Sequence, residues 1–256
     1  MTDDRFTDIR TSGDDTAGEP PTTVLITGAN KGLGFETARQ LATRGWTVLL
    51  GARDPERGRT AAEKLAADGG DVRFIPLDVT DDASVDAAVQ RVRDVTDHLD
   101  VLVNNAGIIG ARTAPLETGP GDFLACFGVN LLGPVRVTRA FLPLLSRAEL
   151  PRVVMVSSGM GSLAVTTDPD RLESTLISLV YPSSKAALNM VTTQYAKALP
   201  DWKVNAVDPG YTATDLNDHM GLKTVAEGAR AIVAMATVGP DGPTGGFFDD
   251  QGRVPW

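Results

Sequence analysis

Cysteine and histidine are scarce in this sequence of 256 residues, which has one cysteine, Cys126, and two histidines, His98 and His219. A single cysteine excludes an intrachain disulfide and suits a reducing compartment, so we expect a cytoplasmic location. The two histidines lack the spacing of metal ligands, and no metal site is predicted. Cys126 lies in the apolar segment FLACFGVN, which indicates a core thiol rather than a nucleophile.

Long apolar runs and a positive net charge are missing as well. No run approaches the roughly 20 residues of a membrane-spanning helix, so we expect no membrane contact. The 24 basic and 33 acidic residues give a net charge of −9, which argues against a nucleic-acid partner. Residues 1–21 are acidic and polar, unlike a signal peptide, and are predicted to form a flexible tail. Residues 22–256 suit one domain.

Short β-branched runs alternate along the chain with longer alanine-rich segments. The runs predict strands at 23–27, 47–51, 72–76, 100–104, 152–157 and 203–208. The segments between them, such as DDASVDAAVQRVRDV, have the periodicity of amphipathic helices. This alternation predicts an α/β fold of the Rossmann type, a doubly wound parallel sheet with helices on both faces.

A glycine-rich turn, TGANKGLG at 27–34, follows the first strand and opens a helix. In that position Gly28, Gly32 and Gly34 allow backbone N–H groups to approach a pyrophosphate at the helix N-terminus. The spacing is G-x3-G-x-G, and no Gly-Lys-Ser/Thr follows, so this is not a nucleoside-triphosphate loop. The alternative interpretation is an ordinary strand-to-helix turn.

The end of the second strand, GARD, indicates which dinucleotide binds. Ala52 stands where an NAD site usually has a carboxylate for the ribose hydroxyls, and Arg53 follows it. A guanidinium can bind a 2′-phosphate through two hydrogen bonds, and Lys31 adds a second cation. The sequence therefore favours NADP(H). Two alternatives stay open: both cations are solvated surface charges, or Asp54 serves NAD.

Several further motifs appear in a fixed order, and together they resemble the short-chain dehydrogenase/reductase family over roughly residues 22–216. After TGANKGLG come LDV (77–79), NNAG (104–107), VN (129–130), SS (157–158), YPSSK (181–185) and DPGYTAT (208–214). Within that family, NKGLG together with ARD looks most like NADPH-dependent carbonyl reductases. The resemblance implies a reversible hydride transfer between NADP(H) and a small carbonyl or alcohol compound.

The resemblance also implies roles for individual residues. Tyr181 would donate the proton, Lys185 would support it, Ser158 would hold the carbonyl oxygen, and Asn130 would hold a water that leads from Lys185 to solvent. With the glycine turn and the two cations included, the residues expected to contact the cofactor are Gly28, Asn30, Lys31, Gly32, Leu33, Gly34, Arg53, Asp78, Val79, Asn105, Ala106, Gly107, Val129, Tyr181, Lys185, Pro209, Gly210 and Thr212.

The spacing of Tyr181 and Lys185 has a physical interpretation of its own. Residues i and i+4 share one face of a helix, so the ammonium can lie near the phenol. A phenol has a pKa of about 10, and a neighbouring cation lowers it toward neutrality, where acid–base catalysis is efficient. We therefore expect a lowered pKa for Tyr181. The alternative is a surface tyrosine whose ring covers a lysine stem.

Two segments have room to form substrate loops, 159–180 and 212–224. Met160, Tyr211, Leu216 and Met220 are predicted as apolar walls, with plain loop packing as the alternative. The family often forms dimers or tetramers through the helices expected near 121–145 and 182–199. The insertion at 159–180 can block some of these contacts, so the choice between a monomer, a homodimer and a homotetramer stays open. A competing hypothesis is a redox sensor that binds a dinucleotide without catalysis. A sugar-nucleotide epimerase fits the glycine spacing less well.

Overall fold

A computed structural model describes residues 22–256, and the prediction for the tail at 1–21 lies outside that range. Within the described range, seven parallel strands form one sheet in the order β3-β2-β1-β4-β5-β6-β7. The strands are β1 (Thr23–Ile26), β2 (Thr47–Ala52), β3 (Val72–Pro76), β4 (Val101–Asn104), β5 (Arg152–Val156), β6 (Lys203–Val207) and β7 (Phe247–Phe248). The six predicted strands are confirmed to within one residue at each end.

Helices connect these strands across both faces of the sheet. Within residues 22–256 they are α1 (Gly32–Ala42), α2 (Pro55–Ala67), α3 (Asp82–Arg93), α4 (Gly121–Phe127), α5 (Gly133–Leu145), α6 (Leu163–Thr167), α7 (Val180–Ala198) and α8 (Val225–Ala236). A π-helical turn at Gly128–Leu132 joins α4 to α5, so the predicted helix at 121–145 is interrupted. The predicted loop 159–180 contains α6 and two 3₁₀ turns, Gly159–Gly161 and Leu172–Thr175.

Alternating residues of each strand enter two separate cores. Val24 and Ile26 of β1 pack on one face in a cluster that includes residues of α1, α2 and α8. Leu25, between them, packs on the other face with residues of α3, α5 and α7. All four residues of β1 are buried, as expected for a central parallel strand covered by helices on both sides. The predicted doubly wound Rossmann-type architecture is confirmed.

The strand order reverses between β1 and β4. These two strands pair in parallel, with Val24 opposite Val101, and β2 pairs with the other edge of β1. Chain connections from β1 and β4 therefore leave in opposite directions along the sheet. The crevice that opens at the carboxyl ends of such strands is where ligands bind in open α/β sheets.

Helix α2 lies unusually close to the sheet because of one glycine. A Cβ at Gly58 would lie only 2.1 Å from the ring of Phe74 on β3. A glycine inside a helix costs about 1 kcal/mol relative to alanine. Here it permits direct packing of the helix backbone on an aromatic ring.

Candidate active site

A cavity of about 780 Å³ lies at the carboxyl edge of the sheet, over the point where the strand order reverses. Its walls come from the turns that follow β1 to β6 and from the first turns of α7. All eighteen residues expected to contact the cofactor line this cavity, and so does Ser158. Residues separated by more than 180 positions in sequence therefore meet at one edge because all their strands run parallel.

The glycine turn has the backbone geometry that its sequence predicts. Gly28 and Gly32 have φ values of 63° and 57°, a region that favours glycine. A Cβ at Gly34 would lie 2.5 Å from the amide nitrogen of Asn105 and 2.8 Å from the carbonyl oxygen of Gly28. Lys31 is the N-cap of α1, and its side chain makes no capping hydrogen bond. The start of α1 therefore presents backbone N–H groups that suit an anion.

The side chain of Asn105 connects the turn after β4 to the glycine turn. Its Nδ2 donates to the carbonyl oxygens of Thr27 and Gly28, at 2.8 and 3.1 Å. The backbone N–H groups of Asn105 and Ala106 both donate to Thr27 Oγ1 at 2.9 Å. These bonds fix the two sides of the crevice relative to each other.

The cavity end near β2 carries the charges expected for a 2′-phosphate. Arg53 and Arg57 both line it. Asp54, the alternative ribose acceptor, is the N-cap of α2, and its Oδ1 accepts from the backbone N–H groups of Glu56 and Arg57 at 3.0 and 3.1 Å. Arg57 was not predicted from the sequence as a cavity residue. Its position in the first turn of α2, three residues after the N-cap Asp54, is the sequence feature that could have indicated it.

Lys31 has a partner that the sequence did not reveal. Its Nζ lies 2.6 Å from Oδ2 of Asp215, in the 3₁₀ turn Asp215–Asn217 of the loop 212–224. The same carboxylate lies 2.9 Å from Nε2 of His219. Nε of Arg57 likewise lies 3.5 Å from Oδ2 of Asp54, so Lys31 and Arg57 both share their charge with a carboxylate, and Arg53 is the strongest candidate for binding a phosphate.

The candidate catalytic side chains meet at the other end of the cavity. Ser158 follows β5 and lines the cavity together with Tyr181, and its side chain acts to lower the pKa of that phenol. Lys185 is one helical turn further along α7 and is only 4% exposed. Its Nζ donates to the carbonyl oxygen of Val156 at 2.7 Å and lies 5.7 Å from the centre of the Tyr181 ring.

The expected lowering of the pKa of Tyr181 is wrong for this structure. Burial raises its pKa strongly, the side chain of Ser158 acts in the opposite direction, and the negative charge of Asp208 raises the pKa further. Burial also lowers the pKa of Lys185 to about 8. The ammonium hydrogen-bonds a carbonyl oxygen and not the phenol, so the burial of the phenol dominates.

Asn130 lies in the π-helical turn and is fully buried. Its Oδ1 accepts from the N–H of Ile108, and its Nδ2 donates to the carbonyl oxygen of Ile108, both at 2.9 Å. Nδ2 also lies 3.0 Å from Oγ of Ser184 on α7. Asn130 thus holds the segment after β4 against α7. Its expected contact with a water stays a prediction.

Comparison with known proteins agrees with this geometry. A family model described as short chain dehydrogenase matches residues 22–224. The chain belongs to the short-chain dehydrogenase family. The (+)-neomenthol dehydrogenase of Arabidopsis thaliana is 35% identical to it, over 91% of this chain and 97% of the relative. The (-)-isopiperitenone reductase of Mentha piperita is also 35% identical, over 88% of this chain and 95% of the relative.

Solved structures of related enzymes share the fold. An NADPH-bound carbonyl reductase from chicken fatty liver superposes with a TM-score of 0.81 at 28% identity, over 93% of this chain and 100% of that chain. The salutaridine reductase of Papaver somniferum gives a TM-score of 0.77 at 31% identity, over 90% and 99%. This short-chain dehydrogenase is therefore an oxidoreductase, with carbonyl reductases and alcohol dehydrogenases among its relatives. In the described part of the chain, every helix is too short or too polar to cross a membrane.

The substrate end of this short-chain dehydrogenase is partly apolar. Of the predicted walls, Met160, Tyr211 and Leu216 line the cavity. Met220 does not, since it is 68% exposed and follows two residues with left-handed backbone, Asp218 and His219. The sequence reasoning missed Leu172, Leu176 and Glu173 of the 159–180 segment and Asp208 after β6, all of which line the cavity.

Cys126 is a core thiol, as predicted. It is fully buried on α4, and its Sγ lies 3.2 Å from Nδ2 of Asn130 and 3.5 Å from Oγ of Ser184. Burial raises the pKa of the thiol, which keeps it protonated and a poor nucleophile.

Proposed function

We propose that this short-chain dehydrogenase is an NADP(H)-dependent carbonyl reductase that uses Tyr181 as its general acid and base. The observation that carries the proposal is that Ser158, Tyr181 and Lys185 line the same cavity, with Lys185 buried one helical turn from Tyr181. Residues 22–256 form the catalytic domain in this proposal. The segments 159–180 and 212–224 enclose a small carbonyl or alcohol substrate.

The residues present fit a dinucleotide that carries a 2′-phosphate. The start of α1 lines the cavity with no side-chain cap, so its backbone N–H groups are available to a pyrophosphate. Arg53 and Arg57 supply two cations at the end where a 2′-phosphate would bind, and Asp54 is engaged as a helix cap. NADPH, when bound, supplies the hydride.

The raised pKa of Tyr181 suits the reduction of a carbonyl group. A phenol that keeps its proton at neutral pH is ready to donate it as negative charge develops on the substrate oxygen. Ser158 lies where it can donate to the same oxygen. Lys185 would hold the nicotinamide ribose and return a proton to Tyr181 after each turnover. Leu172, Leu176 and Met160 favour an uncharged and moderately apolar substrate.

The remaining proposals concern assembly and location. Leu124 and Leu132, on the segment expected to form the family's oligomer contacts, are 75% and 51% exposed, which supports a homodimer or homotetramer. One buried thiol suits a cytoplasmic location. A non-catalytic redox sensor is the weaker hypothesis, because it gives no purpose to Ser158, Tyr181 and Lys185 in one cavity.

The test is turnover of NADPH with a panel of ketones, aldehydes and quinones, followed by the loss of NADPH absorbance. We expect at least one to be reduced, and Tyr181→Phe to lose about 10²- to 10⁴-fold in kcat/KM while NADPH affinity is retained. Tyr211→Phe is the matched control, since Tyr211 also lines the cavity but has no proposed part in proton transfer. Unchanged turnover in Tyr181→Phe would refute the proposed role.

A further inference from the structure

Asp208 is a buried carboxylate in the cavity wall to which the proposed mechanism assigns no role. It follows β6 directly, is 4% exposed, and lines the cavity beside Pro209 and Gly210. Its Oδ1 accepts from the N–H of Gly210 at 2.9 Å. Its Oδ2 lies 2.9 Å from the place where a Cβ of Gly159 would stand, so the carboxylate lies against the turn that follows Ser158.

These contacts connect two turns that must act together. The Ser158–Gly159 turn carries the hydroxyl proposed to hold the substrate oxygen, and the Pro209–Gly210 turn is a proposed cofactor contact. The backbone hydrogen bond from Ser157 N to Val207 O, at 2.8 Å, joins β5 and β6 just before these turns. Beyond the ends of both strands, the side chain of Asp208 contacts both turns.

We propose that Asp208 is a positioning residue of the carbonyl reduction, and that its carboxylate holds the Ser158 turn in register with the Pro209–Gly210 turn. The inference rests on the proposed function. A displacement of about 1 Å between reacting groups can cost on the order of 100-fold in rate, so a side chain that fixes this register affects kcat directly.

The surroundings of Asp208 show how its charge acts on the site. Glu173 Oε1 also lies 2.9 Å from the Cβ position of Gly159, so the two carboxylate oxygens are no more than twice 2.9 Å apart. Arg171 Nε lies 3.6 Å from the other oxygen of Glu173. Asp249 is a further negative neighbour. On the side of Gly210, Lys223 is paired with Asp250 at 2.8 Å.

Burial raises the pKa of Asp208, the N–H groups of Gly210 and Gly159 lower it, and Glu173 and Asp249 raise it again. In turn, the charge of Asp208 raises the pKa of both Tyr181 and Lys185, and Cys126 acts in the same direction. Removal of the charge therefore lowers both pKa values. A residue with a purely structural role would not have this effect.

The experiment compares Asp208→Asn with the matched control Asp249→Asn, which removes a nearby charge that caps a different turn through Gln251 and Gly252. In Asp208→Asn one acceptor oxygen is replaced by an N–H₂ group. We expect a loss of about 10- to 100-fold in kcat, an NADPH Kd within about 3-fold of the parent, and a pH profile displaced to lower pH. We expect the control to keep kcat within about 3-fold.

A second measurement does not depend on turnover. Hydrogen exchange of the Gly159 and Gly210 amides is expected to accelerate in Asp208→Asn while the melting temperature of the chain stays close to that of the parent. Unchanged exchange of these amides overturns the inference even if no substrate is ever found. Unchanged kcat and pH profile in an active enzyme overturn it as well. The parent can reduce no compound of the panel while the Gly159 and Gly210 amides exchange faster in Asp208→Asn. In that case the proposed function fails, and the contact of Asp208 with the two turns is still supported.

Discussion

The preference for NADPH over NADH follows from two arginines at one end of the cavity and is open to a direct test. Arg53 and Arg57 both line this end, and Arg57 is 70% exposed. The substitutions Arg53→Gln and Arg57→Gln remove the charge and keep much of the side-chain length. They are expected to weaken NADPH binding and leave NADH binding almost unchanged, because NADH lacks the 2′-phosphate.

The magnitude follows from the exposure of these side chains. A hydrogen bond to a charged group contributes about 1.5–3 kcal/mol, and solvent exposure places these arginines at the lower end. A loss of about 1.5 kcal/mol corresponds to roughly 10-fold in Kd for Arg53→Gln. Lys31→Gln and Arg57→Gln should have smaller effects, about 3-fold or less, because the ion pairs with Asp215 and Asp54 leave less charge for the phosphate.

The assay is a fluorescence titration of the protein with NADPH and NADH at two salt concentrations. Arg59→Gln is the control, since Arg59 lies on the same helix but outside the cavity lining. Added salt should weaken NADPH binding more in the parent than in the double arginine variant. Equal affinity of the parent for both dinucleotides, or an equal loss of both in Arg53→Gln, would refute the reasoning.

Two further predictions concern stability. Burial lowers the pKa of Lys185 from 10.5 to about 8, so between these values the unfolded chain binds more protons and stability rises with pH. The cost of burying the charged lysine is therefore largest below pH 8. Lys185→Met removes this cost and should raise the melting temperature more at pH 7 than at pH 9. An equal rise at both pH values would contradict the prediction. Gly34→Ala should destabilise the fold by about 1–3 kcal/mol in urea unfolding, because its Cβ would meet Asn105 and a backbone oxygen. Gly121→Ala, which meets nothing within 4 Å, should be neutral or stabilising, and an equal loss in both variants would count against the steric explanation.

Local sequence was sufficient for the strands and the glycine turn. A strand covered by helices on both faces must be apolar throughout, and TVLI in β1 satisfies this along its whole length. Gly28 and Gly32 adopt positive φ values that few other residues tolerate, so their positions in the sequence indicate the backbone directly.

Features that depend on distant contacts were not predictable. Glu173 lies in a segment without periodicity and reaches the cavity only through the packing of its 3₁₀ turn. The spacing of Tyr181 and Lys185 gives their proximity but not their burial, and the burial decides the direction of the pKa of Tyr181. The partner of Lys31 is 184 positions away, so no local pattern could identify Asp215.

The closeness of α2 to β3 gives an unexpected importance to a residue that touches no ligand. The ring of Phe74 occupies the place where any larger side chain at position 58 would have to be. A substitution that improves helix propensity at Gly58 would push the helix outward and carry the neighbouring guanidinium of Arg57 with it. The preference between NADPH and NADH would then change because the helix has moved away from the sheet, although every charged residue is still present in the sequence.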